Sequence, residues 1–251
     1  MMHSEPYQGF LSVGLDSMRQ RAAQAVAELA QAYAQTTQAG DEVTPENLGQ
    51  SLLQFFAILA SLEQTTTTAP DKSGHETEDL ADYGLRLLEE LHDWAQRLEC
   101  RDASDIFQSL CVTLALWCAQ HRLSISHLQP VVNAFSRLAN GTQDERILAE
   151  ITDAISVIID ATAPQVKQDL DNSNPGRPWR LLNLNHGIVA TRSHDPRRME
   201  SVFEQLVFRL PDEAAGFFAE GMQQMDAIGY PAHVRSVMQK YYELTNKPTL
   251  H

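Results

Sequence analysis

Cys111, Cys118, His121 and His127 lie within one 17-residue stretch. Helical spacing puts Cys118 and His121 on one face, with Cys111 two turns earlier and His127 opening the next helix. Thiolate and imidazole are the ligands of zinc and copper sites, so the four form a candidate metal site. The competing reading is packing, because cysteine often serves a buried helix as a small apolar group. A second pattern, "EELHDW" at 89–94, places Glu89 three residues before His92, which is half of a di-iron carboxylate motif. No other histidine follows a glutamate at that spacing. A hairpin turning near residue 101 would also hold His92 and His121 about three turns apart, too far to share an ion.

The third constellation is basic: "RPWRLLNLNHGIVATRSHDPRR", with Arg177, Arg180, His186, Arg192, His194, Arg197 and Arg198. Arg197 and Arg198 fall in the first turn of a helix, where the macrodipole disfavours cations. Something acidic must answer them: Asp195, Glu200, the acidic N-terminal region, or an external anion. Pairing within the chain is the plainer reading, and a site for an anion or an acidic peptide is the sharper one. Nucleophilic triads, glycine-rich phosphate loops and HExxH are absent from the sequence.

The elements that must position these residues read as helices. Apolar groups recur at helical spacing in 15–36 and again in 44–62, where Thr44 is a fitting N-cap and Pro45 a first-turn residue. Residues 77–99 carry a clean stripe of Leu80, Tyr83, Leu87, Leu91, Trp94 and Leu98. On the outer face Asp82–Arg86 and Asp93–Arg97 are acid-first i,i+4 pairs. Residues 103–121 are apolar nearly all round, as suits the middle of a bundle. Helices over 126–139 and 143–162 follow, then four short ones at 178–193, 196–209, 212–228 and 231–245. Prolines 196, 211 and 231 mark three of those starts, and Gly229 is a natural C-cap. Phe218, Met222 and Met225 form a stripe that reads as core rather than as a binding surface.

The fold expected is all-α: antiparallel helical hairpins in an irregular bundle or solenoid-like array of about eight or nine helices. Residues 1–62, 77–168 and 178–251 form an N-terminal hairpin, a central bundle and C-terminal short-helix hairpins of one continuous body. Polar loops at 63–76 and 169–177 separate them. The roughly 34-residue period of tetratricopeptide arrays is not present.

Composition narrows the function. The chain of 251 residues carries a net charge of −14, which argues against binding nucleic acid through its phosphates. Residues 1–174 hold ten basic and 25 acidic side chains, a balance of −15, whereas residues 175–251 hold nine and eight, a balance of +1. No apolar run approaches the roughly 20 residues of a membrane span. The start "MMHSEPYQGFLSVG" has no basic residue ahead of an apolar stretch, so no signal peptide is expected. Three unpaired cysteines fit a reducing compartment, and the location expected is cytoplasmic. No cofactor is implied. The reading is a non-catalytic protein–protein interaction or adaptor module. Its partner would be another protein offering an acidic segment, met by the 177–198 tract or by a groove between the C-terminal helices. The alternative is a ligand- or metal-binding helical protein, or an enzyme, built on Cys118/His121/His127 or on the Arg177–Arg198 cluster.

Overall fold

The computed structural model describes residues 13–36, 43–66, 74–171 and 173–246. Among them the chain is all-α, with eleven helices and no strand. In order these are α1 (Leu15–Ala34), α2 (Pro45–Thr66), α3 (Gly74–Arg97), α4 (Arg101–Gln120), α5 (Gln129–Asn140) and α6 (Glu145–Ala161). Then come α7 (Pro164–Lys167), α8 (Pro178–Arg192), α9 (Pro196–Arg209), α10 (Pro211–Ile228) and α11 (Ala232–Thr245). The count exceeds the eight or nine expected. One reason is α7, a single turn of four residues that buries no side chain and so leaves no periodic pattern to read. Of the expected loop 63–76, residues 63–66 end α2 and 74–76 begin α3, while 67–73 lie outside the described residues.

Packing divides the described chain into two compact units, a partition different from the three sequence segments. The first comprises the residues through Phe135 together with Asp160–Val166. Here α1 packs on α2, α2 on α3, α3 on α4 and α4 back on α1, closing a four-helix bundle. The helix read as apolar all round, α4, buries every residue from Leu110 to Cys118. Thr113 is tolerated among them because its hydroxyl donates to the Ser109 and Leu110 carbonyls of its own helix. Thr44 accepts from the Asn47 N–H at 3.3 Å and so caps α2. Gly84 on α3 has a packing reason: a Cβ there would lie 2.3 Å from Phe55 Cζ and 3.0 Å from Leu114 Cδ2, and both of those side chains are fully buried.

The second unit holds Ser136–Ile159 and the residues from Lys167 onward. Helices α8 and α9 form one hairpin and α10 and α11 another, with α9 touching both partners of the second. Phe203 of α9 is the hub. Its ring meets Phe218 at 5.0 Å, Tyr241 at 5.4 Å and Phe217 at 5.9 Å, each edge-on. Phe218 and Met225 are buried in this cluster and Met222 is partly buried against it, so the proline-punctuated stretch 209–234 is architecture. Gly229 ends α10 in the left-handed conformation, φ 77°, its N–H donating to Met225 O.

Candidate functional site

The four presumed metal ligands do not converge. Cys111 and Cys118 are buried in the first unit, and the Cys111 thiol donates to Phe107 O, one turn back. Burial pushes both thiols up, Cys118 to about 12, so at neutral pH neither supplies the thiolate that a metal or an electrophile requires. His121 stacks on Trp117 at 3.9 Å and shares its Nδ1 with Trp117 O at 2.8 Å. His127 faces Glu89, Nε2 to Oε2 2.7 Å. Among the described residues no three His, Cys, Asp or Glu side chains come together as a metal would need. The physical reason is that α4 buries every side chain from Leu110 to Cys118, so its cysteines serve as core.

The glutamate of "EELHDW" therefore serves His127 and not His92. The His92 Nδ1–H donates to Ser104 O at 3.1 Å and Nε2 accepts from the Gln96 amide at 3.0 Å, which pins α3 to the first turn of α4. The i,i+4 spacing predicts Asp82 as half of an outward pair with Arg86. Instead its Oδ1 accepts two backbone N–H bonds, from Ser126 and His127, both at 2.9 Å. Arg97 lies over the Trp94 ring at 4.0 Å. Asp82 and Glu89 are seven residues apart on one face of α3, and that spacing was the available signal for a shared task.

The basic tract lies in the second unit, and nearly all of it is answered from within. Arg177 is buried, with 8% of its side chain exposed, and grips Asp169 through Nε at 2.6 Å and Nη2 at 2.9 Å. Its Nη1 also donates to Asn174 O, so one side chain staples the loop 169–177. Arg180 holds Glu213 with the same two-pronged grip, 2.6 and 2.8 Å. That bond to Arg180 keeps the Glu213 carboxyl below its usual range. Arg192 donates to Ala139 O and Thr142 O, satisfying carbonyls at the end of α5. His194 Nδ1 meets Glu145 at 2.6 Å. Arg198 takes both oxygens of Asp153, at 3.0 and 2.8 Å, and Asp195 at 2.5 Å. Asp195 also accepts the Arg197 and Arg198 N–H bonds, capping α9, so Asp195 and Asp153 together answer the Arg198 cation in the first turn. Arg197 is the exposed member.

His186 is buried beside α6. Its Nε2–H faces Thr152 O at 3.1 Å and the Ser156 hydroxyl at 3.0 Å. Burial, with Arg209 adding to it, lowers its pKa to about 4, against the smaller opposing pull of the Thr152 bond and Asp153. The ring is neutral at pH 7.

Removing Arg177 strands Asp169, which is only 16% exposed. A wholly buried carboxylate left alone costs about 3–5 kcal/mol; with water partly in reach, Arg177→Met should cost about 2 kcal/mol. Adding Asp169→Leu should recover part of that loss. Urea unfolding of the single and double variants measures both, and a single-variant loss below about 0.5 kcal/mol would show that the staple is slack.

One opening among the described residues is at the far end of the α8–α9 hairpin. Ile159, Lys167, Trp179, Phe208 and Arg209 line an open cleft of about 240 Å³. Phe208 is 83% exposed, a large ring left in water. The buried stripe of α9 runs Met199, Val202, Phe203, Leu206; Phe208 falls off that stripe, which is how the sequence marks it.

No protein-family model matches the chain, and no curated protein or solved structure matches it either.

Proposed function

We propose that the chain is a cytoplasmic, non-catalytic protein–protein interaction module that docks its partner through the C-terminal unit. The observation that carries this reading is Phe208, a phenyl ring 83% exposed at the end of a well-packed helix. Covering such a ring removes apolar surface from water, worth about 25 cal/mol per Å², and exposed aromatics of this kind are frequent anchors of interfaces. Leu170, at 83%, and Ile228, at 67%, add bare apolar surface to the same unit, whereas the most exposed large apolar side chain described in the four-helix unit is Val43, at 52%. Residues 136–159 and 167–251 hold 12 basic and 14 acidic side chains, a balance of −2 against −12 for the remainder, which supports the assignment because association there meets less like-charge repulsion.

With its arginines other than Arg197 engaged within the chain, the 177–198 tract contributes fewer free cations to this surface than its sequence suggests. No helix among the described residues is long and apolar enough to cross a membrane.

A photo-crosslinking benzoylphenylalanine at position 208 tests the reading in native extract. The control carries the same group at Arg146, whose side chain is 89% exposed in the same unit. A discrete protein adduct at 208 and none at 146 is the expected outcome. Equal labelling at both positions, or none at 208, would remove Phe208 as the contact.

A further inference from the structure

We propose that α2 is a self-association surface, through which two copies of this chain pair antiparallel about a two-fold axis near Ile58. The surface belongs to the four-helix unit, and the inference stands whether or not a partner docks at Phe208.

Charge selects the occupant. Each copy carries −14, so two copies repel wherever acidic faces meet and can join only where charge is missing. Residues 47–62 of α2, NLGQSLLQFFAILASL, contain no Asp, Glu, Lys, Arg or His. The comparable run in α4, residues 106–120, is core. The run in α2 is not. Ile58 is 43% exposed and Leu62 37%, and Asn47, Gln50, Gln54 and Ser61 are exposed as well. A face without charge gives a charged partner nothing to complement, but it suits its own copy. The amides of Asn47, Gln50 and Gln54 each carry donors and an acceptor, so they can answer one another across a two-fold axis, as like charges cannot. The hydroxyls of Ser51 and Ser61 donate to Asn47 O and Ala57 O, both at 3.0 Å, so covering them strands no donor.

The spacing supplies the seam. Asn47, Ser51, Gln54, Ile58 and Ser61 follow one another at alternating intervals of four and three, the repeat by which paired helices keep one stripe toward each other. Pairing centred on Ile58 sets the two isoleucines face to face and lays Gln54 against Leu62 of the second copy. Tyr83 of α3 widens the apolar centre: its ring is 47% exposed and stands edge-on to Phe55 of α2 at 6.3 Å. A helix pair of roughly 24 Å covers less than the roughly 800 Å² per partner of a standard interface. The dimer is therefore weak, with a dissociation constant on the order of 100 µM.

Sedimentation equilibrium of the full chain from about 10 to about 500 µM tests the pairing. The weight-average mass should rise from monomer toward dimer. Because both copies are acidic, raising the salt from about 20 to about 500 mM should tighten the dimer at least about threefold, whereas a contact held by opposite charges would loosen. Ile58→Glu sets two carboxylates together on the axis and should weaken the dimer at least about tenfold. Gln54→Glu serves should Ile58→Glu fail to fold. Phe208→Glu should leave the mass profile as in the parent, which separates this surface from the C-terminal one. The three native cysteines are buried, so Ile58→Cys should form a covalent dimer on mild oxidation while Arg146→Cys does not. The proposal is overturned if the parent stays monomeric at the highest concentration, or if added salt loosens the dimer. It is overturned equally if the folded charge variants at 58 and 54 dimerise as the parent does, if Phe208→Glu abolishes the dimer, or if Ile58→Cys cross-links no more than Arg146→Cys.

Discussion

Phe203→Ala should lower the free energy of unfolding by about 4 kcal/mol, the middle of the range for deleting a buried phenylalanine. The size follows from position. Phe203 is fully buried and its ring is the common neighbour of Phe217, Phe218 and Tyr241. These come from α10 and α11, while Phe203 is on α9, so the cavity opens where the two C-terminal hairpins meet. Three rigid rings cannot collapse into it without leaving their edge-on geometry. Urea denaturation of Phe203→Ala beside Phe203→Leu gives the measurement. Leucine keeps most of the volume and should cost less than half as much. A loss below about 1 kcal/mol for the alanine variant would mean that the cluster repacks freely and that these helices are not mutually dependent.

The second large effect is a dependence of stability on pH. Unfolded, the His186 imidazole takes up its proton near 6.5; folded, it does so only near 4. Between those values the unfolded chain binds more protons, so stability is full above about 6.5 and falls as the pH drops toward 4. A displacement of that size corresponds to on the order of 3 kcal/mol. His186→Gln retains an N–H donor for Thr152 O but cannot titrate. Its unfolding free energy should fall much less between pH 7 and 4.5 than the parent's does. Identical slopes for the two proteins would place the acid sensitivity elsewhere. Glu213 and Asp195, whose carboxyls are held low by their arginine and backbone N–H partners, begin to lose their share of stability near the ordinary carboxylate range, at the acid end of that window, and they do so equally in both proteins.

Helix positions were legible from the sequence because each helix has to bury a stripe, and a stripe leaves a period. Thr44 and Gly229 were legible as caps because a helix end leaves N–H or C=O groups that only certain residues satisfy. The roles of polar groups were not. Asp82 looks like a surface acid until the chain returns 44 residues later with two free N–H groups at Ser126 and His127, and nothing near Asp82 in sequence announces that meeting. The basic tract misled for the same reason. Its partners Asp153, Asp169 and Glu213 are distributed before, beside and after it, so composition showed an excess of cations where the fold shows pairs. The cysteines were ambiguous in principle, since a buried thiol and a ligand thiol differ only in what surrounds them.

The Arg177 staple has a consequence for how this chain tolerates lengthening. Because the guanidinium holds Asp169 on one side and Asn174 O on the other, the ends of the loop are fixed by contacts that do not involve Leu170 or Asp171. Extra residues spliced in between Leu170 and Asp171, which leaves the Asn174 N–H to Asp171 O bond in place, would hang from anchored ends, and each doubling of such a loop costs only about 0.6 kcal/mol in closure entropy. A reporter peptide or small domain grafted there should leave the helices on either side undisturbed, which makes this corner the natural port for engineering the molecule.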